Sequence, residues 1–464
     1  MDNFDSCLSA RIEVTMHRSS MEKVMQLDSS LKTISAFTAP EQFESIKHHI
    51  DPAWVAEALA ATGTATVRKR RLPAEQVVWL VIGMAMFRKW PIADLVGKLD
   101  LVLPGPRATV VPSAVAEARA RVGAEPLERI FEISGRKWGH ESARKHAWRG
   151  LALYGVDGST LRVADSAENR AHFGGTQGDR GDSGYPLVRI AALMALRSHI
   201  LVAAEFGPYE DSEITLSAFL WRAVPDDALV MVDRGFLAAG ILVPLARDGK
   251  NRHWLTRAKS TTKWRVVEHL GKNDDLVELT VSREARKQDP SLPVTYLARA
   301  ITYQVKGFRP QTVLTSMLDC DAFPAAEVAS LYHERWELEL GYGEIKTDML
   351  DRLESIRCRT VAGVEQELWG ILLAYNLIRL EMERTADDFG VAPARISFVT
   401  SLRIICDTWS WCALASPGAL PTRLKTMREL FTSLVLPERR TARRYPRAVK
   451  IKMSKFPRKR PSNA

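Results

Sequence analysis

The chain has 464 residues, which is too many for one compact core and predicts two or three domains. Its 65 Lys and Arg exceed its 55 Asp and Glu, and the net charge of +10 suits a polyanionic partner such as nucleic acid, although a merely basic soluble protein would show the same balance. The longest apolar run, Val77 to Phe87, is well short of the roughly 20 residues that span a bilayer, so we expect a buried helix and no membrane partner.

The cysteines and the first residues argue against two further classes of protein. Asp2, Asp5 and Arg11 stand where a signal peptide would have a basic start and an apolar stretch, so secretion is not expected. The cysteines are odd in number and lack the paired spacing of a zinc site or a disulfide framework; they are Cys7, Cys320, Cys358, Cys406 and Cys412. We therefore expect reduced thiols in a cytoplasmic protein.

Residues 1–45 are polar and without clear periodicity, so they could be a mobile arm or an irregular helical lead-in. Residues 46–145 read as a helical N-terminal domain, in which Pro73 and Pro91 open helices and Ser113 caps another. Three short helices, with Arg119 and Arg121 on the last, could form a helix-turn-helix DNA reader. A structural or dimerisation module would show the same pattern.

From Trp148 onward the pattern changes to strands, which predicts a mixed α/β catalytic domain over residues 146–400. The segments LALYGVDGS, TLRVAD, LVRIAALMAL and HILVAAEF read as adjacent strands. A helix capped near Ser212, the strand ALVMVD, a helix near residues 237–246 and the strand HWLTRAK follow. Four more strands at about 259–318 form a second, β-rich block, after which the chain turns helical at Pro324.

The last region, residues 401–464, ends in a dense run of basic residues. With Tyr445 and Phe456 interleaved, this tail is suited to phosphate contact, although a plain solvated terminus is the alternative. Its basic residues are Arg439, Arg440, Arg443, Arg444, Arg447, Lys450, Lys452, Lys455, Arg458, Lys459 and Arg460.

Two aspartates are the first candidates for chemistry. Asp157 closes an apolar strand before Gly158, which would free the backbone to turn at the sheet edge. Asp233 stands in the same position at the end of ALVMVD. Carboxylate oxygens are what magnesium prefers, so the pair could hold hard cations. Either aspartate alone could equally be a turn cap.

A third carboxylate lies on the helical segment LYHERWELELGYGEIKTDML. If the helix is continuous, Tyr332, Arg335, Glu339 and Lys346 fall within an arc of roughly 60°. One helix face then presents a phenol, a guanidinium, a carboxylate and an ammonium, although an ordinary amphipathic helix with surface ion pairs could do the same. Gly341 and Gly343 could bend the helix and shift Lys346 off this face, which would weaken the prediction.

The other acids of this helix point away from that face by the same spacing. We interpret them as a solvated face, which leaves Glu339 as the candidate metal ligand; they are Glu334, Glu337, Glu344 and Asp348.

The spacing of Tyr332, Arg335, Glu339 and Lys346 resembles the signature of the insertion-element-4 family of bacterial DDE transposases. VDGST at Asp157 and VDRGF at Asp233 resemble the two aspartate motifs of that family, and the β-rich block before the glutamate helix is similar to its insertion. The resemblance runs from about residue 51 to about residue 447. It implies a ribonuclease-H-like catalytic core and cut-and-paste transposition.

The resemblance further implies the roles of the site residues. Asp157, Asp233 and Glu339 would hold two magnesium ions, for which manganese could substitute, in an in-line phosphoryl transfer. Tyr332, Arg335 and Lys346 would bind DNA phosphates. The implied partners are double-stranded DNA, the terminal inverted repeats of the element, target DNA and a second copy of the chain, in a homodimeric synaptic complex on the bacterial nucleoid.

In some members of the family the insertion stacks a flipped base on an aromatic side chain. Trp264, Tyr303 and Phe308 are available in the β-rich block, and each is expected in the core rather than as a platform. Near the preceding strand, Arg257 or Lys259 could also meet DNA.

The sequence leaves two alternatives to a transposase open. Another ribonuclease-H-like nuclease, such as a resolvase, would cut DNA without joining strands. An inactivated descendant would bind DNA only, but it would have no need of three metal-coordinating carboxylates.

Overall fold

The computed structural model describes residues 50–64, 72–98, 110–178, 181–182, 184–305, 308–350, 356–412, 419–432 and 435–437. The predicted N-terminal arm, Cys7 and the basic tail from Arg439 to Arg460 lie outside these residues. Within them, Cys320, Cys358 and Cys406 are not joined in disulfides.

The chain begins with helices, as predicted. The second of them is apolar on every side and buried over almost its whole length, which confirms the buried helix predicted for Val77 to Phe87. Among the described residues, no helix combines the length and the apolar character that crossing a membrane requires. The helices are α1 (Pro52–Ala61), α2 (Ala74–Met86), α3 (Ile92–Lys98), α4 (Pro112–Val122) and α5 (Glu125–Lys145).

The two arginines of α4 are half-buried and form hydrogen bonds within the protein. Arg119 donates through Nε to Gln366 Oε1 at 2.9 Å and through Nη2 to Cys358 Sγ at 3.1 Å. Arg121 donates to the carbonyl oxygen of Leu72 at 2.8 Å. Both guanidinium groups therefore have partners within the protein, and DNA contact by this part of the chain stays a prediction.

Eleven strands follow among the described residues. Two of them form a short separate hairpin, β2 (Gln177–Gly178) with β3 (Gly181–Asp182). The others are β1 (Ala152–Arg162), β4 (Leu187–Ala195), β5 (Leu201–Pro208), β6 (Ala228–Val232), β7 (Arg252–Arg257), β8 (Arg265–Gly271), β9 (Asp274–Thr280), β10 (Thr295–Tyr303) and β11 (Gln311–Thr315).

These nine strands form one mixed sheet in the order β5-β4-β1-β6-β7-β11-β10-β9-β8. The pairs β1–β6 and β6–β7 are parallel, and the remaining neighbours are antiparallel. The first five strands, three antiparallel and then two parallel to β1, are consistent with a ribonuclease-H-like core. The predicted mixed α/β fold is confirmed at this level.

The four strands β8 to β11 lie where the β-rich block was predicted, but they do not form a separate sheet. Strand β11 pairs antiparallel with β7, with Leu314 opposite Thr256, and β10, β9 and β8 add outward from it. The block therefore extends the core sheet, because β7 would otherwise expose an unpaired edge.

Strand β1 also differs from the prediction, which ended it at Asp157. It is continuous through Arg162 and includes the segment TLR that was predicted as the next strand. Antiparallel pairing to β4 continues from Tyr154 to Arg162, whereas parallel pairing to β6 stops at Val156. The neighbour β4 holds the strand together beyond the end of β6.

Helices cover both faces of the sheet. The long buried helix α12 (Val361–Phe389) packs with α2 and α5 on one face, together with Leu153 and Leu161 of β1. On the other face α7 (Glu213–Ser217) and α8 (Ala239–Arg247) pack against alternate residues, such as Tyr154 and Val156. The remaining helices are α6 (Ala167–Phe173), α9 (Arg283–Gln288), α10 (Ala325–Leu331), α11 (Trp336–Gly343), α13 (Phe398–Cys412) and α14 (Leu420–Thr432).

Helices α2 and α12 cross closely at Gly370. A Cβ atom at this position would lie 2.6 Å from Val81 Cγ1 and 3.0 Å from the Val81 carbonyl oxygen. Gly370→Ala is therefore expected to lower the free energy of unfolding by about 2 kcal/mol, because backbone must move to admit the methyl group. Thermal and urea unfolding measure this. Gly240→Ala in α8, where nothing lies within 4 Å, is the control; equal melting temperatures of the two variants would contradict the expectation.

Candidate active site

The two predicted aspartates lie at one edge of the sheet. Val156 and Val232 are the last residues paired between the parallel strands β1 and β6, and Asp157 and Asp233 follow them directly. Asp233 ends its strand as predicted, and its Oδ1 accepts a hydrogen bond of 2.6 Å from the Gly235 amide. Asp157, in contrast, lies inside β1, so the predicted turn after it is wrong. The site lies where β6 ends at Val232 beside Asp157, while β1 continues past it.

The helical segment of Glu339 is not one continuous α-helix. It begins with a 3₁₀ turn (Tyr332–Arg335), continues as α11 and ends in a π-helical turn (Glu344–Met349). We call residues 332–349 the active-site helix. The change of helix type means that the arc calculated for a continuous α-helix does not apply to Lys346.

Three contacts to the strands, and one within the helix, nevertheless place the active-site helix at the ends of β1 and β6. Arg335 Nη2 donates to Glu339 Oε1 at 2.9 Å, and its Nη1 lies 3.8 Å from Asp157 Oδ2. Tyr332 donates through its hydroxyl to the Val232 carbonyl oxygen at 3.4 Å. Lys346 Nζ donates to Ser159 Oγ at 3.1 Å. The structure therefore places all six predicted site residues around one sheet edge.

The chemistry of these residues fits a divalent cation, because carboxylate oxygens are hard ligands. In the conformation described, however, no three His, Cys, Asp or Glu side chains among the described residues surround one point as metal ligands. The Arg335 guanidinium lies between Asp157 and Glu339 and contributes a positive charge there.

Sequence reasoning missed two neighbours of Asp157. The Tyr342 hydroxyl donates to the Asp157 carbonyl oxygen at 2.8 Å. Tyr342 lies three residues after Glu339, and this helical spacing was the feature of the sequence that could have indicated the contact. On the opposite face of β1, Glu213 packs against Gly158, where a Cβ atom would lie 2.3 Å from Glu213 Cγ. Nothing local to Glu213 in the sequence indicates this contact. Gly158 thus leaves room for the Glu213 side chain and does not make a turn.

The interpretation of the other helix acids as a solvated face is wrong for three of them. Glu334 forms an ion pair of 2.8 Å with Arg197, and Glu337 and Glu344 contact His199, which is buried. Their side chains do point away from Glu339, but that side of the helix packs against other elements, and only Glu334, 32% exposed, keeps substantial contact with water.

The aromatic candidates of the β-rich block occupy three different environments. Trp264 packs partly buried against the core, and Tyr303 meets the ring of His333 edge to face at 5.5 Å. Phe308 is 58% exposed, so the expectation that it lies in the core is wrong. Base stacking by any of these residues, and DNA contact by Arg257 or Lys259, stays a prediction.

Burial raises the pKa of Asp157 to about 6. The negative charges of Glu213 and Asp233 contribute to this rise in pKa, whereas the hydrogen bond from the Gly158 amide and the charge of Arg335 oppose it. Because the folded state binds this proton more tightly than the unfolded chain, the Asp157 contribution to stability is present at pH values below about 4 and is lost as pH rises through about 6.

Asp157→Asn is therefore expected to stabilise the metal-free protein at pH 8 by about 2 to 3 kcal/mol, because the amide has no charge to bury. At pH 4 the two proteins are expected to unfold at nearly the same temperature. Thermal unfolding in the presence of a chelator, compared at the two pH values, measures the difference. A melting temperature at pH 8 that is no higher than that of the unsubstituted protein would contradict the buried-charge explanation.

The comparisons with known proteins show the class of the chain. Residues 128–377 match the family model described as "Transposase DDE domain", which places this part of the chain in the class of DDE transposases. Residues 40–132 match the model "Insertion element 4 transposase N-terminal". The chain belongs to the insertion element 4 family of DDE transposases, and proteins of this class generally use divalent metal ions.

Individual relatives include the transposase InsG for insertion sequence element IS4 of Escherichia coli (strain K12). It is 37% identical over 435 residues, which cover 93% of this chain and 98% of InsG. The InsZ protein of the same strain is 34% identical over 232 residues, covering 49% of this chain and 76% of InsZ. A piggyBac transposase in a synaptic complex with hairpin DNA gives a TM-score of 0.42 at 10% identity, with 86% of each chain covered.

Proposed function

We propose that this transposase cuts and rejoins DNA with Asp157, Asp233 and Glu339 as the ligands of two magnesium ions. The observation that carries the proposal is that Arg335 contacts both Asp157 and Glu339, while Asp233 follows the strand end to which Tyr332 is bonded. Such ions activate the attacking oxygen and stabilise the leaving oxygen of an in-line phosphoryl transfer. The chain's own contribution is to hold three carboxylates at one sheet edge.

The remaining predicted residues would bind the DNA backbone next to the scissile phosphate. Arg335 offers a planar fork that suits two phosphate oxygens, and Lys346 offers a point charge. Both are already directed at β1 by Asp157 and Ser159. When DNA and cations bind, Arg335 exchanges its carboxylate partners for phosphate oxygens, so one side chain leaves the cation site and completes the phosphate site.

We further propose the partners and the route. The substrate is double-stranded DNA that carries the terminal inverted repeats of the element; the product ends are joined to target DNA by a cut-and-paste route in a homodimeric synaptic complex. The domain division at residues 46–145, 146–400 and 401–464 belongs to this proposal. Its place of action is the DNA of the bacterial nucleoid.

A strand-transfer assay tests the function against the nuclease alternative. The full chain is incubated with the DNA that flanks its own gene, both uncut and precut to expose 3′ hydroxyl ends, with magnesium, manganese or a chelator. We expect cleavage of uncut ends and joining of precut ends with either metal, and neither with the chelator. Cleavage without joining would favour a resolvase-like nuclease, and binding without either reaction would favour a protein that only binds DNA.

A further inference from the structure

The buried side of the active-site helix carries a cluster of charged side chains that the proposed reaction does not use. His199, in the turn between β4 and β5, is 1% exposed. Its Nε2 lies 2.8 Å from Glu337 Oε2, and its Nδ1 lies next to Glu344 and Arg379. Arg379 of α12 also donates to Glu344. The Tyr375 hydroxyl donates to Glu344 Oε2 at 2.8 Å.

The hydrogen bonds of this buried cluster form a consistent set. Arg379 can only donate, so Nδ1 of His199 accepts from it. The other ring nitrogen, Nε2, is then free to donate to Glu337. Glu344 accepts from both Arg379 and Tyr375, and the positive charge of Arg379, together with the hydrogen bond from Tyr375, holds the pKa of Glu344 at about 2 despite its burial. Three separate parts of the chain are thus joined by one network.

Stability alone is a weak explanation for such a cluster. Burying charges is costly, and replacing a buried ion pair by apolar side chains of similar size is often neutral or stabilising. The cluster contacts the active-site helix at Glu337, two residues before Glu339, and at Glu344, where the helix changes from α to π. Isolated π-helical turns are rare and frequently occur at functional sites.

The π-helical turn is also the part of the helix that carries Lys346. Lys346 donates to Ser159 of β1, two residues beyond Asp157. Close packing on the buried side leaves the helix little freedom, since a Cβ atom at Gly341 would lie 2.5 Å from Met194 Cε and 3.3 Å from the Tyr375 hydroxyl. A shift of Glu344 would therefore be passed to Lys346 through a rigid turn.

We propose that His199, Glu344 and Arg379 are positioning residues for transposition: they fix the π-helical turn so that Glu339 and Lys346 face Asp157. They act through the active-site helix and touch neither DNA nor metal. This inference rests on the proposed roles of Glu339 and Lys346.

The test uses the full chain and compares Glu344→Gln with the double variant Glu344→Gln/Arg379→Met, in which both charges of the buried pair are removed. Cleavage rate at saturating DNA, the DNA concentration for half-maximal rate and melting temperature are measured. We expect the rate at saturating DNA to fall on the order of 10- to 100-fold in both variants, as for other residues that orient catalytic groups. The half-saturating DNA concentration should stay within about twofold, because these residues make no DNA contact.

The double variant separates positioning from stability. Removal of both charges is expected to restore the melting temperature but not the rate; a rate within about twofold of the unsubstituted protein would overturn the inference. If Glu344→Gln fails to fold, Tyr375→Phe, which deletes only one hydroxyl donor to Glu344, replaces it, with a smaller fall in rate expected and an unchanged rate again overturning the inference.

The matched control is Glu367→Gln. Glu367 is also a buried carboxylate, but it lies on α12 and not on the active-site helix. Glu367 is 1% exposed and accepts from Arg88 at 2.8 Å, on a part of α12 that faces α2. Its loss is expected to lower the melting temperature with the rate per folded molecule unchanged; an equal fall in rate would overturn the assignment of a positioning role to the cluster. If Glu339→Gln keeps its activity, the proposed function fails; if it is inactive and the double variant is fully active, only this inference fails.

Discussion

Glu339→Gln is expected to reduce cleavage of element ends by about 10³-fold or more, with the affinity for DNA changed by no more than about twofold. The amide keeps the size of the side chain and an oxygen that can accept from Arg335, which lies 2.9 Å away. It lacks the negative charge that a divalent cation requires of its ligand. The loss therefore falls on the chemical step and not on binding.

Single-turnover cleavage and fluorescence anisotropy on the same DNA measure the two effects. Glu334→Gln is the matched control, since Glu334 lies on the same helix and pairs with Arg197 rather than with the site. It is expected to cleave at a rate close to that of the unsubstituted protein. Retained cleavage by Glu339→Gln, with metal present, would remove Glu339 from the proposed site.

Arg335→Ala is expected to change cleavage and metal affinity in opposite directions. The rate should fall on the order of 10²- to 10³-fold, because a cation beside the scissile phosphate is lost. The affinity for manganese in the absence of DNA should stay the same or increase, because Arg335 no longer contacts Asp157 and Glu339 in competition with the metal. A purely structural arginine would not produce this combination.

Electron paramagnetic resonance of manganese measures the affinity, and the cleavage assay measures the rate. Arg197→Ala is the control, because it also removes an arginine that pairs with this helix, 2.8 Å from Glu334, without touching the three carboxylates. It should change neither quantity by more than about twofold. Weaker manganese binding by Arg335→Ala would show that Arg335 supports the metal site and does not compete with it.

Much of the secondary structure followed from local pattern. The four strands β8 to β11 lie within the predicted β-rich block of about residues 259–318, because alternation of apolar and polar side chains is a property of neighbouring positions. The buried helix at Val77 to Phe87 followed from its composition in the same way. Whether β8 to β11 form a sheet of their own could not be predicted, since it depends on which strand edge they meet.

The sequence by itself determined which residues are candidates for chemistry: Asp157, Asp233 and Glu339, with Tyr332, Arg335 and Lys346 at spacings that resemble one family. This was possible because the spacing between the residues of a motif can be counted directly in the sequence. Tertiary structure alone decided that β1 runs past Asp157, since that depends on β4.

The same applies to the acids of the active-site helix. Helical spacing placed Glu337 and Glu344 opposite Glu339, but their partner His199 lies 138 and 145 residues earlier in the chain. A side chain that points away from an active site meets either solvent or another element, and only the packing of α12 and the β4–β5 turn determines which. Burial of these charges, and the π-helical turn beside them, is therefore a property of the folded protein and not of the local sequence.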